Sequence, residues 1–247
     1  MIAVLGMYPF AHLNDAYDQL WEGIRSRLDH VPDTLDRSTP LDDSWHRDDL
    51  LLGQTCGWPL VTTLPHLAVV GAFDLVAPFA AAGQYRSVLV ASRPESPHEL
   101  VEQPDTVVAT NSDSSLSGWI SLCSALGRRP PRVLVTGSHA ESVRAVAERR
   151  AHLASIDALS YEFLLESSRQ VASQVHIVGH GPLVPSLPLV MARDLAHRRD
   201  EVRAAIAATI ADPALAGVRA RLRIRGFLPF DRSDYESLTA LMPPPGD

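Results

Sequence analysis

The chain has 247 residues, of which 46% are hydrophobic, and a formal net charge of −7, enough for one large domain or two of about 120 residues with separate cores. Arginine supplies all 22 positive side chains and lysine is absent, which excludes a P-loop and Schiff-base chemistry. The acidic balance argues against a nucleic-acid partner, whose phosphates require excess positive charge on one face.

The opening residues, Met1 to Leu5, read as a strand. They lack the basic flank and small-residue cleavage site of a signal peptide, and no apolar run approaches the roughly 20 residues of a membrane span. As the sequence stands the expected compartment is the cytoplasm, or the periplasm or extracellular space if a leader has been removed. Cys56 and Cys123 lie far apart in apolar surroundings and read as reduced core thiols.

After the first strand, Leu13, Ala16, Tyr17, Leu20, Trp21, Ile24 and Leu28 recur at helical spacing, with Asn14 or Asp15 as cap. Strands are expected at Leu50 to Gly53 and His66 to Leu75, separated by a polar turn that enters a helix. The breaker-flanked stretch Pro78 to Gly83 is a candidate hinge, followed by a strand from Tyr85 to Ala91 and a Pro-initiated helix from Pro97.

The run Thr106 to Thr110 is a strand, Asn111 to Ser115 a polar turn, and Leu116, Trp119, Ile120 and Cys123 the apolar face of a helix stopped at Gly127. Four serines and an asparagine precede Gly118, more than the one residue a helix cap needs. Orphan amides and the helix macrodipole make such a turn suited to an anion; capping and anion binding both stay open here. Strands at Arg132 to Thr136, His152 to Ile156 and Val175 to Val178 alternate with helices from Ser138 and Ala158. Ser138 and Glu141 have capping-box spacing. Gly179 to Pro188 reads as a second hinge crossing. The tail supplies strands at Leu187 to Ala192 and Leu222 to Phe227 and helices from His197, Pro213 and Asp231.

Alternating strands and helices imply an α/β fold of mixed, mostly parallel sheets with helices on both faces. Two hinge crossings imply two lobes: residues 1–78 with 186–247, and residues 79–185. Polar turns recur where strands end, at Tyr8, at Gln54 and Thr55, at Asn111 to Ser117 and at Thr136 to His139, the place where open α/β sheets bind ligands.

Enzyme signatures are poor. No G-x-S-x-G elbow or G-x-G-x-x-G turn is present. Gly179 and a strand end keep His176 and His180 off a shared helical face, so no metal site is expected. Ser138 and His139, neighbours on a first turn, point apart.

These segments together resemble the substrate-binding components of phosphate, phosphite and phosphonate ABC transporters. The carriers are L-L-G-Q-T-C-G-W-P-L at Leu51 to Leu60, Q-Y-R-S at Gln84 to Ser87, N-S-D-S-S-L-S-G at Asn111 to Gly118, T-G-S-H-A-E-S-V-R-A-V at Thr136 to Val146 and A-S-I-D-A-L at Ala154 to Leu159. The resemblance implies the two-lobed type 2 periplasmic-binding-protein fold and an oxyanion held in an interlobe cleft. It places Ser114, Ser115, Ser117 and Gly118 on the anion, with His139 as a further donor and Tyr85 lining the cleft. Tyr8 and Thr55 reach in from the first lobe, and Asp157 meets an amine or a protonated oxygen unless it caps the next helix. Arg86, beside Tyr85 on the strand, points to the opposite face.

The function implied is binding of phosphate, phosphite or a phosphonate as the solute-binding component of ABC-type transport or a soluble relative of it. The molecule would be a monomer that neither enters the membrane nor carries a cofactor, with an ABC permease as partner. The alternatives are an enzyme on the same fold, a lyase or cofactor-precursor synthase acting on a small carboxylate or phosphate ester with His139 and Asp157 as acid and base, and a cytoplasmic ligand sensor.

Overall fold

The computed structural model describes residues 1–243 and divides into two compact units. The first comprises Met1–Val76, Ala82–Gln84 and Pro185–Glu236; the second comprises Ala77–Ala81, Tyr85–Val184 and the chain from Ser237. Residues 244–247, part of the expected first lobe, lie outside the described residues.

The elements in chain order are β1 (Ile2–Val4), α1 (Asn14–Arg25), α2 (Leu41–Ser44), β2 (Leu50–Gln54), α3 (Gly57–Thr62), β3 (Leu67–Leu75), β4 (Gln84–Tyr85) and β5 (Ser87–Ala91). There follow α4 (Pro97–Glu102), β6 (Val108–Thr110), a π-turn (Leu116–Ile120) that runs into α5 (Ser121–Leu126), β7 (Val133–Val135), α6 (His139–Ala147), β8 (Leu153–Asp157) and α7 (Ala158–Ser167). There follow α8 (Arg169–Ala172), β9 (His176–His180), β10 (Val184–Pro185), β11 (Pro188–Ala192), α9 (Arg199–Ala211), α10 (Ala216–Arg221) and β12 (Ile224–Leu228), and the helix expected from Asp231 is a 3-10 helix over Arg232–Leu241.

The first unit's sheet has the order β1-β2-β11-β3-β12 and the second unit's the order β7-β6-β8-β5-β9; β4 and β10 form a two-stranded sheet of their own. The α/β class and mixed sheets hold, but the expected parallel majority does not. Only β1 with β2, β6 with β7 and β6 with β8 run parallel in the two large sheets, and the other pairings are antiparallel. The reason is topological: β11 and β12 enter the first sheet from the far end of the chain against β2 and β3, and β5 enters the second sheet against β8 and β9. A helix between two strands in sequence does not make those strands neighbours.

In the second unit Leu89, Ala91, Val108 and Leu153 pack with Leu100 and Val101 of α4 and Leu122 and Leu126 of α5. The alternate residues Val88, Val90, Ala154 and Ile156 are buried as well, and α6 and α7 pack on β5 and β8. With side chains alternating across the pleat, both faces of this sheet are covered. In the first unit α9 and α10 pack on β12 and against α1, whose Ala16, Tyr17, Leu20, Trp21 and Ile24 are buried.

Two helix starts differ from expectation. Neither Asn14 nor Asp15 caps α1: a 3-10 turn over Ala11–Leu13 feeds straight into it, and Asp15 pairs with Arg221 at 2.6 Å. At α6 the Ser138 hydroxyl accepts from the Glu141 amide, but Glu141 pairs with Arg144 rather than closing the reciprocal half of a capping box. The full box occurs at α4, where Ser96 and Glu99 satisfy each other's amides.

Segment Ala82–Gln84 stays with the first unit because Asp74 holds it. The carboxylate accepts from the Gly83 amide at 2.8 Å and from the Arg225 guanidinium at 2.8 and 2.9 Å. At the other end of the chain the Tyr235 hydroxyl donates to the Ser186 carbonyl, and the unit assignment changes two residues later.

Candidate functional site

Strand direction alone brings the polar turns of the second unit together. β6, β7 and β8 run parallel while β5 runs antiparallel to β8 and β9. The carboxyl ends of β6, β7, β8 and β9 and the amino end of β5 therefore lie at one end of the sheet.

At that end the Leu116–Ile120 turn is wound as a π-helix, not the α-helix its apolar spacing suggests. The Ile120 amide donates to the Ser115 carbonyl and the Ser121 amide to the Leu116 carbonyl, both five residues back. Wide turns of this kind recur at functional sites, because they splay amides and side chains that a regular helix stacks. Ser115 is the cap, its Oγ accepting from the Gly118 amide at 3.0 Å.

The Ser117 carbonyl is held by two hydroxyls from beneath: Ser87 of β5 donates to it at 2.8 Å and Ser155 of β8 at 2.6 Å. Both serines are buried beside apolar neighbours, where a hydroxyl without a partner would cost about 1–3 kcal/mol. Sequence reasoning missed them. The available signal was a lone serine in S-V-L-V-A and in L-A-S-I-D, each requiring a buried acceptor.

Gly118 is fixed by contact. A Cβ there would collide with Asn111 Oδ1 and lie 2.9 Å from Thr110 Oγ1, so any larger residue requires those two side chains to shift.

The Ser117 hydroxyl faces His139 Nε2 at 2.9 Å. His139 opens α6 behind the Ser138 cap, and Thr136 fixes that approach by bonding the Thr110 carbonyl at 3.1 Å and the Ser142 hydroxyl at 2.7 Å. Burial pushes the imidazole down to about 4, so the ring is neutral at pH 7. Among the described residues, His139 Nδ1, Asn111 Oδ1 and Ser121 Oγ are buried without a hydrogen-bond partner.

The remaining expected residues are placed as follows. Ser114 is exposed and turned outward, its hydroxyl 2.8 Å from that of Ser112. Asp157 is buried at the end of β8 and caps α7, Oδ1 accepting from the Ser160 amide at 2.7 Å; Ser87 is its register partner on β5. Tyr85 is buried just before β5, and Arg86 spends two donors on the Gly181 carbonyl, at 2.6 and 3.0 Å. Tyr8 and Thr55 are buried in the first unit, after β1 and β2. The second unit thus assembles Ser115, Ser117, Gly118 and His139 into one cluster, with Asp157 and Tyr85 at the same end of the sheet.

His176 and His180 sit on β9, and among the described residues no group of three or more His, Cys, Asp or Glu side chains could hold a metal ion. No described helix is long and apolar enough to cross a membrane.

No curated relative matches the chain. Among solved structures, a binding-protein component of an ABC phosphonate transporter from Pseudomonas aeruginosa superposes with a TM-score of 0.78 at 18% identity, over 98% of this chain and 84% of the other. PhnD1 of Prochlorococcus marinus, in complex with methylphosphonate, gives 0.72 at 15% over 97% and 96%. A Xanthomonas citri protein bound to chloride gives 0.70 at 13% over 97% and 95%. At these identities the likeness shows the fold, that of the two-lobed periplasmic binding proteins. Residues 63–235, well over half of the sequence, match the family model described as ABC transporter, phosphonate, periplasmic substrate-binding protein, and the chain accordingly belongs to the family of periplasmic substrate-binding proteins of phosphonate ABC transporters.

Proposed function

We propose that the second unit holds the phosphoryl oxygens of a phosphonate, or of phosphate or phosphite, on the Ser115–Gly118 turn, and that it does so with uncharged donors. The observation that carries this reading is the Ser117–His139 contact over a turn whose carbonyl is pinned by Ser87 and Ser155. The geometry is set before a ligand arrives, so little ordering entropy is spent on binding. The positive end of the turn's aligned peptide dipoles adds to the attraction for an anion.

What the pair offers a ligand depends on the His139 tautomer. If Nε2 of His139 carries the proton, it donates to Ser117 Oγ and leaves the Ser117 hydrogen for the ligand; the other tautomer consumes that hydrogen. Ser114, turned outward, is a weaker member of the set than Ser115 and Ser117. Asp157 and Tyr85 are proposed to contact the organic substituent or a protonated oxygen. Tyr8 and Thr55 carry the same proposal on the family resemblance. The working compartment is proposed to be the periplasm, the partner an ABC permease, and the protein a monomer.

The Ser117–His139 distance is also that of a nucleophile and its base, which keeps the enzyme reading as a second hypothesis. An effective base needs its other ring nitrogen oriented by a third group, and no described residue partners Nδ1.

Thermal unfolding against phosphate, phosphite, methylphosphonate, 2-aminoethylphosphonate, sulfate and small carboxylates tests the proposal. A ligand at a hundred times its dissociation constant adds ~2.7 kcal/mol to folded-state stability. A shift with a phosphorus oxyanion that is lost in Ser117→Ala supports binding. No shift with any of them, or phosphate-ester turnover abolished by Ser117→Ala, moves the enzyme reading ahead.

A further inference from the structure

In the first unit β1 pairs parallel with β2, and both β2 and β3 pair antiparallel with β11. The carboxyl ends of β1, β2 and β3 therefore share one end of the sheet with the amino end of β11, the end at which open α/β sheets take ligands. Gln54, the last residue of β2, lies there only 2% exposed, and among the described residues its side-chain Oε1 has no hydrogen-bond partner. We propose that Gln54 is a ligand-recognition residue of the first unit, its side-chain amide pairing with a hydroxyl or amine on the organic substituent of a bound phosphonate. The inference rests on the phosphonate-binding reading and deepens it by naming the class of substituent.

The backbone around Gln54 is committed, which sets its side chain apart. The Gln54 carbonyl accepts from the Trp45 indole at 3.1 Å, and the residue stands in register with Leu189 of β11. The next amide, that of Thr55, donates to the Pro188 carbonyl at 3.0 Å. Leu50, Leu51 and Leu52 on the same strand are completely buried, so an apolar side chain would serve the core at position 54 equally well. A buried amide oxygen with nothing to accept from is costly, and an apolar group of the same shape removes that cost. Oε1 is an acceptor, which suits a hydroxyl or amine and not a phosphoryl oxygen. Its missing donor is supplied from outside the described chain.

A second atom at the same end supports this. Ser186, two residues ahead of β11, is fully buried. Its amide donates to the Gly83 carbonyl at 2.9 Å and its own carbonyl accepts from the Tyr235 hydroxyl at 2.9 Å, while its Oγ has no partner among the described residues. Backbone held and side chain open is the pattern of Gln54, repeated at the start of the strand beside β2.

Isothermal titration of ligands matched in size tests the inference: hydroxymethylphosphonate against ethylphosphonate, and 2-aminoethylphosphonate against propylphosphonate. The proteins are the wild type and Gln54→Met, which keeps the length of the side chain without an amide. In at least one pair the donor-bearing member is expected to bind the wild type about tenfold or more tighter, and Gln54→Met should erase that preference while still binding the apolar member. Equal affinities within both pairs, or a preference that survives in Gln54→Met, overturn the inference and leave the phosphonate reading in place. Absence of binding to every ligand overturns both. Without ligand, Gln54→Met is expected to unfold at the wild-type temperature or above it, because a thioether needs no partner. A Tm lower by several degrees would assign the amide a structural role and overturn the inference by itself.

Discussion

Ser117, Gly118 and His139 show how much one side chain can fix. His139 is depressed to about 4 by burial, against roughly 6.5 for a free imidazole. Above pH 6.5 the ring is neutral in both the folded and the unfolded chain. Between pH 6.5 and 4 the unfolded chain takes up a proton that the folded one does not, so stability falls as the pH drops through that window. The full loss is about 3 kcal/mol for a shift of this size. Urea unfolding at pH 7, 5.5 and 4 on the wild type and His139→Gln measures it: the variant should lose less stability across the window, and parallel losses would contradict the assignment. For Gly118→Ala, the added Cβ collides with Asn111 Oδ1 and Thr110 Oγ1, an overpacking cost of about 1–3 kcal/mol. Replacing Asn111 by Ala in that background removes the closer contact, so the double variant should recover part of the loss in denaturant midpoint.

For whole elements, the Ser115–Gly118 turn is held from below, which predicts coupling across three segments. Ser87→Ala and Ser155→Ala each remove one hydrogen bond to the Ser117 carbonyl, worth about 1 kcal/mol. Because they share one acceptor the pair should be non-additive, and a double-mutant cycle showing simple additivity would contradict a joint clamp. Asp157 carries two readings that substitution separates. Asn keeps a capping oxygen while removing the charge, so Asp157→Asn should hold stability where Asp157→Ala loses about 1 kcal/mol. Weakened ligand binding in Asp157→Asn at unchanged stability would assign the carboxylate to the ligand.

The same elements show what the sequence could convey. The α4 start was legible from Pro97 at its first position, and the α6 start from Ser138, whose hydroxyl finds the Glu141 amide three residues on although Glu141 itself turns to Arg144. The π-winding was not, since Leu116, Trp119, Ile120 and Cys123 fit an α-helical stripe equally well, and the hydroxyls that take the Ser117 carbonyl belong to Ser87 and Ser155, 30 and 38 residues away. Ser115, Ser117, Gly118 and His139 were reachable from motif residues. Asn111 matters through the approach of its Oδ1 to Gly118, a closeness that arises only once the turn is wound.

At the scale of the whole molecule, the α/β class was readable from periodicity, whereas strand direction was not. Direction depends on which strands become neighbours, and β11 meets β2 and β3 only because the chain returns after a hundred residues in the second unit. The return relies on buried polar anchors. Asp74 is 8% exposed and held well below the usual carboxylate range, first by the Arg225 hydrogen bonds and then by the Gly83 amide, against an opposing desolvation. Its stabilisation is present at neutral pH and declines as the carboxylate is protonated in acid. Asp74→Ala leaves a buried amide without an acceptor, and a loss of about 1–3 kcal/mol in urea unfolding is expected; a loss below a few tenths would show that the anchor is dispensable.

The central claim is that a phosphorus oxyanion is held by the uncharged donors of the Ser115–Gly118 turn and His139. Isothermal titration of methylphosphonate into the wild type, Ser117→Ala and His139→Gln measures this most directly. Saturable one-site binding to the wild type, weakened about tenfold or more in each variant, is the predicted result. Wild-type binding that both variants retain, or no heat from methylphosphonate, phosphate and phosphite alike, would contradict it.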